Sequence, residues 1–251
     1  MTDYAKTVDQ ALVLLGSIAH DGAASADALG GRLGLGRMAT KRLLRALDHH
    51  GFVRRDPHGE YVLGAALFEL STQVEPELRR VAHPGLERLA DRFGETAVLS
   101  VPDRDDAVAI DQVPNDSQIL RVHYRPGSRH PLYLAAHGRA ILAFLDPGAI
   151  ERVLARLPDP EPARDQLDET RRLGYAISTD ELQQGICGLA APIRNAAGCV
   201  VGSIGVVAPL YRFPPASYLA PAIYESAATV GMALGWRPRR PDPADHLLRV
   251  T

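Results

Sequence analysis

Three cations recur at four-residue intervals near the N-terminus: Arg37, Lys41 and Arg45, in the run GRMATKRLLRALDHHGF, with Arg42 beside them. On a helix such a row lines one face, and Leu43, Leu44 and Leu47 then point the other way. That is the chemistry of a polyanion reader, because guanidinium and ammonium groups meet phosphates and guanine edges while the leucines pack. Met38 offers an apolar contact to a thymine methyl. Thr40 falls towards the leucines by helical angle and is expected in the core. The alternative for any single basic helix is a solvated cationic surface.

Charge distribution favours the first reading. The chain of 251 residues carries a formal net charge of -2, yet from Arg32 to Arg55 the cations Arg32, Arg37, Lys41, Arg42, Arg45, Arg54 and Arg55 face one acid, Asp48. A basic window inside a near-neutral chain is the footprint of local anion binding.

A second group of reactive types lies further on: His137, Asp180, Glu181 and Cys187. Gathered at one pocket they would suit acid–base or thiol chemistry. No nucleophile elbow, metal-ligand spacing or cofactor loop accompanies them, so an enzyme is the rival reading and a binding pocket the main one. The two cysteines, Cys187 and Cys199, have neither the number nor the spacing for a zinc site or a disulfide framework. Cys199 sits in an apolar strand pattern and is expected as a small buried hydrophobe. Cys187 is open to a redox role, although no lysine or arginine adjoins it in sequence to activate the thiol.

The elements that must position these groups follow from periodicity. Apolar residues from Val8 to Ala19 have helical spacing; Ser25 is placed to cap a second short helix over residues 26–33; glycines 34 and 36 turn the chain into the basic helix, residues 37–50. Residues 52–55 and EYVLG flank DPHG as a hairpin. Helix, helix, turn, helix, hairpin is a winged helix-turn-helix, with Arg54 and Arg55 on the wing where phosphates would lie.

An apolar helical pattern through Leu67, Leu70 and Val74 predicts a linker helix over residues 64–75. A helix over 77–93 carries Pro84, which predicts a kink or restart. Then TAVLSV, DAVAIDQV, QILRVHY, YAIS, CGLAAPI and CVVGSIGVVA read as strands. Helices are expected over 138–145, 150–157, 164–173 and 215–236. Consecutive strands with segregated helices indicate an α+β domain with a mainly antiparallel sheet over residues 76–238. Residues 1–63 form the predicted winged-helix domain and 239–251 a proline-rich, charged tail expected to be loosely ordered. The leader MTDYAKTVDQ has no basic segment before an apolar core, and ALVLLGSIA is far shorter than a membrane span, so the expectation is a cytoplasmic protein with no membrane partner.

From Val8 to about Gly235 the sequence resembles the IclR family of bacterial transcriptional regulators. The likeness is carried by GLGRMATKRLLRALDHHGFV with YVLG, by AHPGLERLADRFGETAVLSV, by PLYLAAHGRAILAFL, and by LGYAISTDELQQGICGLAAPIRNAAGCVVGSIGVVAP, in that order. The resemblance implies a DNA-binding domain, a linker helix used in dimerisation, and a GAF-like domain that binds a small effector. It implies a homodimer or tetramer on a palindromic operator, with no metal, cofactor or catalysis, and more often a repressor than an activator. The basic helix departs from the family pattern, since Arg37 is followed by Met38 and Ala39 where serine and threonine are usual. The docking mode is expected to be shared and the operator sequence to differ.

The same resemblance places an effector carboxylate on the backbone amides of Ala136 and His137, at the start of the helix 138–145. A helix N-terminus suits that role, because its N–H groups are unpaired and carry partial positive charge. Leu134, Ser178, Ile186, Gly188, Gly205 and Val207 would surround the ligand, with Cys187 next to them. Members that take tiny polar acids carry an aspartate and two serines where this chain has Ser178, Gly205 and Val207. That difference predicts a less polar, larger pocket and an acid with an apolar body. His137 is expected either as a charge-assisted partner for that acid or as an ordinary capping histidine. A regulator whose pocket is filled, lost or redox-sensing is the alternative.

Overall fold

The computed structural model describes residues 5–115, 122 and 124–237. The chain divides into two compact units between Val74 and Glu75.

The first unit runs α1 (Lys6–Asp21), α2 (Ala26–Arg32), α3 (Arg37–His49), β1 (Val53–Arg55), β2 (Tyr61–Leu63) and α4 (Ala66–Thr72). Ser25 caps α2 by accepting from the Ala28 amide at 3.2 Å, which supplies one of the partners a helix start lacks. Leu14, Ile18, Leu29, Leu43, Leu44 and Leu47 close a core over Val53 and Tyr61 of the hairpin. Each such side chain contributes roughly 1.5–3 kcal/mol when fully buried. Thr40 is fully buried, with its hydroxyl returned to the Gly36 carbonyl at 3.2 Å. In the DPHG turn, Asp56 Oδ1 accepts from the amides of His58 and Glu60, each at 2.9 Å. The helix α4 is short and apolar, and none of its residues is buried within this unit.

The two glycines of α2 differ in kind. A Cβ on Gly30 would lie 2.9 Å from Thr40 Oγ1 and 3.2 Å from the Leu35 carbonyl oxygen, whereas Gly31 faces open space. Gly30→Ala is therefore expected to cost about 1–3 kcal/mol by prising α2 from α3, and Gly31→Ala to gain up to about 1 kcal/mol by restoring helix propensity. Urea unfolding of the two variants checks this; shifts of the same sign would show that α2 and α3 do not meet at Gly30.

The second unit runs α5 (Pro76–Phe93), β3 (Thr96–Asp103), β4 (Asp106–Val113), β5 (Arg129–Pro131), α6 (Ala135–Leu142), α7 (Pro147–Leu154), α8 (Glu161–Leu173), β6 (Ala176–Thr179), β7 (Ile186–Arg194), β8 (Val200–Pro209) and α9 (Ala216–Ala233). The strands form one sheet in the order β5-β4-β3-β8-β7-β6, every pair antiparallel. Alternation divides its faces. Leu99, Val101, Leu189, Ala191, Ile193, Ile204 and Val206 pack with α5 and α9 in the main core. Val98, Ala109, Ala190 and Val207 face the other way, towards α6 and Tyr124. Ala136 and Ala140 of α6 meet Ala176 and Ala190 of the sheet, and these small side chains let the helix lie close.

Several expectations need correction. The helix α5 continues through Pro84, so the proline marks no restart. The helix α6 begins at Ala135 rather than residue 138, where the extended Leu134 ends the preceding segment. The helices α7 and α8 each begin three residues earlier than periodicity suggested, and α7 starts where Asp146 accepts from the Ala149 amide at 2.9 Å. The strand β5 and a short 3-10 turn, Leu210–Arg212, were not anticipated. Cys199 is exposed: it closes the NAAG turn, its amide bonded to Asn195 Oδ1, so it points away from the core that Val200 enters. Of the segment QILRVHY only Val122 and Tyr124 are described, and the expected tail 239–251 lies outside the described residues.

Candidate functional site

Two places in the chain carry the chemistry anticipated from sequence, and each lies within a single unit. In the first, α3 turns Leu43, Leu44 and Leu47 into the core and leaves Arg37, Met38, Arg42 and Arg45 exposed, with Lys41 half-buried. Met38 is 71% exposed beside them. Lys41, Arg42 and Arg45 make no ion pair among the described residues. Arg37 differs, since its Nε lies 3.2 Å from Asp27 on α2. The wing also splits its two cations. Arg54 is exposed and makes no ion pair among the described residues, while Arg55 donates to the Tyr61 hydroxyl from Nε at 3.2 Å and Nη2 at 2.8 Å, with its guanidinium over the Tyr61 ring. Arg55 is spent on bracing the hairpin.

The second place is a cavity of about 80 Å³ at the start of α6, enclosed by Val122, Tyr124, Ala135, Ala136, His137, Ser178, Glu181, Leu182, Gln183, Ile186, Cys187, Gly188 and Val207. Ala136, His137, Ser178, Ile186, Cys187, Gly188 and Val207 are thus brought together as the resemblance implied. Leu134 and Gly205 are not: Leu134 caps α6 outside the lining, and Gly205 pairs with Ala190 where the packed alanines of α6 close the space. Tyr124, Val122 and Leu182 also line the cavity.

Gly138 lets α6 reach this position. A Cβ there would sit 2.6 Å from the Leu132 carbonyl oxygen, so any larger residue would push the helix start off the segment that precedes it. Ala135 takes a left-handed backbone, φ 58°, which costs a non-glycine residue about 1 kcal/mol or more. Its amide is repaid by a bond to Glu181 Oε2 at 2.8 Å. Glu181 is in turn gripped by Arg139 through both guanidinium nitrogens, and Arg139 also donates to the Ile177 carbonyl. This buried arginine was the functional residue missed from sequence. Its signal was available: a cation in the apolar run LAAHGRAILAF needs an acid, and Asp180 and Glu181 were the candidates at hand.

With Ala135 taken, the amides of Ala136 and His137 follow in the first turn, where a helix has no carbonyl four residues back to bond them. His137 is 2% exposed, and its Nδ1 lies 3.0 Å from Ser203 Oγ. Burial, with a smaller push from His130, lowers its pKa from 6.5 to about 3. Burial thus favours the neutral ring. Burial also lowers His130 and raises Tyr124, whose ring stands 6.3 Å from that of His137.

The His137 shift carries a stability prediction. Its folded pKa lies below the unfolded one, so between about 6.5 and 3 the unfolded chain holds the extra proton and stability falls as pH falls. At about 1.4 kcal/mol per pH unit, His137 should cost about 2 kcal/mol at pH 5. His137→Asn, which keeps a hydrogen-bonding side chain but cannot titrate, should remove that part of the acid sensitivity. Urea midpoints at pH 7 and pH 5 for both proteins give the difference; parallel losses would mean the imidazole is not buried neutral.

Cys187 is buried and donates to Thr179 Oγ1 at 3.4 Å, and His137 bonds Ser203, so thiol and imidazole do not engage each other. Among the described residues no group of three His, Cys, Asp or Glu side chains is placed to hold a metal ion, and no helix is long and apolar enough to cross a membrane. A wider, open concavity of about 590 Å³ lies between α8 and α9 and shares no lining residue with the α6 cavity.

The family model described as bacterial transcriptional regulator IclR, C-terminal, matches residues 71–231. The glycerol operon regulatory protein of Streptomyces griseus is 35% identical over 222 residues, 81% of this chain and 85% of that one. The IclR transcriptional regulator of Alicyclobacillus acidocaldarius superposes with a TM-score of 0.81 at 28% identity, over 93% of this chain and 100% of that one. An IclR homolog of Microbacterium hydrocarbonoxydans, solved with 4-hydroxybenzoate, gives a TM-score of 0.81 at 24% identity, over 91% and 98% of the two chains. These relatives are transcriptional regulators and not enzymes. The chain belongs to the IclR family of bacterial transcriptional regulators.

Proposed function

We propose that this regulator is a cytoplasmic repressor which binds a palindromic DNA operator as a homodimer or dimer of dimers, and that a small carboxylic acid in the α6 cavity sets its affinity. The observation that carries the DNA reading is the outer face of α3, where Lys41, Arg42 and Arg45 stand around the exposed Met38 without an acid partner among the described residues. In this reading residues 1–63 bind DNA with Arg37, Met38, Lys41, Arg42, Arg45, Arg54 and Arg55 facing the duplex. Arg37 and Arg55 contribute less, since Asp27 and Tyr61 already hold them. Residues 64–75 join two copies and residues 76–238 sense the effector.

Dimerisation is supported by apolar surface that the first unit leaves uncovered. Phe68 is 75% exposed on α4, Leu70 and Val74 accompany it, and Val8 and Leu12 are exposed on α1. A seven-residue helix without buried residues does not stand alone and calls for a partner surface.

For the effector, the amides of Ala136 and His137 offer a carboxylate a helix N-terminus, and Ile186, Val207, Val122 and Tyr124 supply apolar walls. The relative that binds 4-hydroxybenzoate supports an acid as the class. The cavity of about 80 Å³ suits a compact acid. The buried, bonded Cys187 gives no support to a redox sensor.

Fluorescence anisotropy on DNA from upstream of the protein's own gene, with and without a panel of organic acids, tests the proposal. Sequence-specific, salt-sensitive binding that one acid weakens is the expected result. Specific binding indifferent to every acid would overturn the effector part alone, and tighter binding with an acid would overturn the direction of control.

A further inference from the structure

The concavity between α8 and α9, about 590 Å³, is used neither by the basic face of α3 nor by the α6 cavity. Its size falls within the roughly 300–1,000 Å³ of small-molecule sites. Phe144, Tyr175, Tyr224 and Trp236 give it aromatic walls. Arg171, Arg172 and Arg194 give it charge.

Two of these arginines are already neutralised. Arg171 donates to Asp168 and to the Ala143 carbonyl, and Arg172 grips Glu169 through Nε and Nη2. Arg194 is the exception. It is half-buried, burial pushes its pKa below the ordinary guanidinium value, and no acid pairs with it among the described residues. The titratable groups that act on it, Tyr224 and Cys199, are a phenol and a thiol. A cation partly withdrawn from water without a counter-ion carries a desolvation cost, and an anion that settles beside it offsets that cost.

The guanidinium is also held in place. One face stacks on Phe144, its carbon 4.6 Å from the ring centroid, and Nη1 donates to the Gly198 carbonyl at 3.0 Å. Nε and Nη2 have no protein partner among the described residues. These two nitrogens share one edge of the planar group and form the fork that fits both oxygens of a carboxylate. The walls are anchored as well. The Trp236 amide bonds the Gly231 carbonyl at 2.8 Å, and a Cβ on Gly231 would lie 3.0 Å from Trp236 Cε3, so the indole rests on α9. Tyr224 packs over Gly174, where a Cβ would stand 3.7 Å from its Cε2. Rings held this way offer stacking surface with little entropy left to lose.

We infer that this concavity is a second ligand site, for a planar aromatic acid carrying one negative charge: its carboxylate takes the Arg194 fork and its ring lies against the aromatic walls. The one unpaired cation matches one negative charge, since Asp168 and Glu169 hold the other two arginines. The site is independent of the α6 cavity, with which it has no lining residue in common.

Trp236 is the sole tryptophan of the chain, so the full-length protein labelled with 5-fluorotryptophan gives one ¹⁹F resonance, at this site. Titration with 2-naphthoate should shift it. Calorimetry should show 2-naphthoate binding at least about 10-fold tighter than 2-naphthamide, which has the ring without the charge, and than decahydro-2-naphthoate, which has the charge without the flat ring. Arg194→Gln should weaken 2-naphthoate by about 10-fold or more. Ala228→Phe, which fills the concavity from α9 and leaves Arg194 in place, should abolish both binding and the ¹⁹F shift. Thermal melts of the two variants establish that they are folded. An amide that binds as tightly as the acid would overturn the charge requirement, and a saturated acid that does so would overturn the ring requirement. No binding of 2-naphthoate, binding without a ¹⁹F shift, or affinity undiminished in both variants would overturn the site itself.

Discussion

Replacing Lys41 and Arg45 together by alanine should lower operator affinity by about 2–4 kcal/mol, roughly 30- to 1,000-fold, and reduce the slope of log affinity against log salt by about 2. Both cations lie on the outer face of α3 and neither is held by an acid among the described residues, so their charge is available to DNA. The leucines that hold α3 in place point the other way and are untouched. Melting temperature should therefore hold while binding falls, which separates lost contact from lost fold. Arg37→Ala and Arg55→Ala are the informative controls. Each guanidinium already has a partner, Asp27 or Tyr61, so each single loss should be the smaller. Anisotropy titrations at several salt concentrations measure all of this; undiminished affinity in the double variant would remove α3 from the DNA interface.

The second large effect is expected at Arg139. Its side chain is 4% exposed and that of its partner Glu181 22%, and the pair joins α6 to the segment between β6 and β7. Arg139→Ala leaves a mostly buried carboxylate without its cation, a change that costs about 3–5 kcal/mol when one partner of such a pair is removed. In a unit of this size that is roughly 6–20 °C of melting temperature. The double variant Arg139→Met, Glu181→Leu should recover much of the loss, because it removes the stranded charge as well. Thermal melts of single and double variants decide the matter. A double variant no more stable than Arg139→Ala would place the cost in packing rather than in the carboxylate.

How much of this was legible beforehand depends on the range of the interaction. The winged helix could be read because its signals are local: the four-residue row Arg37, Lys41, Arg45, the opposite row of leucines, Ser25 as a cap and DPHG as a turn act within a few residues of themselves. Thr40 could be assigned to the core from helical angle alone. Helix starts were less legible, as at α6, where Leu134 and Ala135 are set by Glu181, forty-six residues further on. Cys199 was misjudged because periodicity cannot say where a turn ends and a strand begins.

The sequence by itself determined the fold class, the basic face of α3 and the family, since all three rest on residue types at fixed spacing. Only the tertiary structure decided which of the cations are free among the described residues and which are spent on Asp27 and Tyr61, how small the cavity is, and that burial holds His137 neutral. Those are matters of what lies across a gap. A charge or lone pair is fixed by neighbours that the chain brings together from α6, β8 and the β6–β7 segment, and burial, not residue type, sets its state.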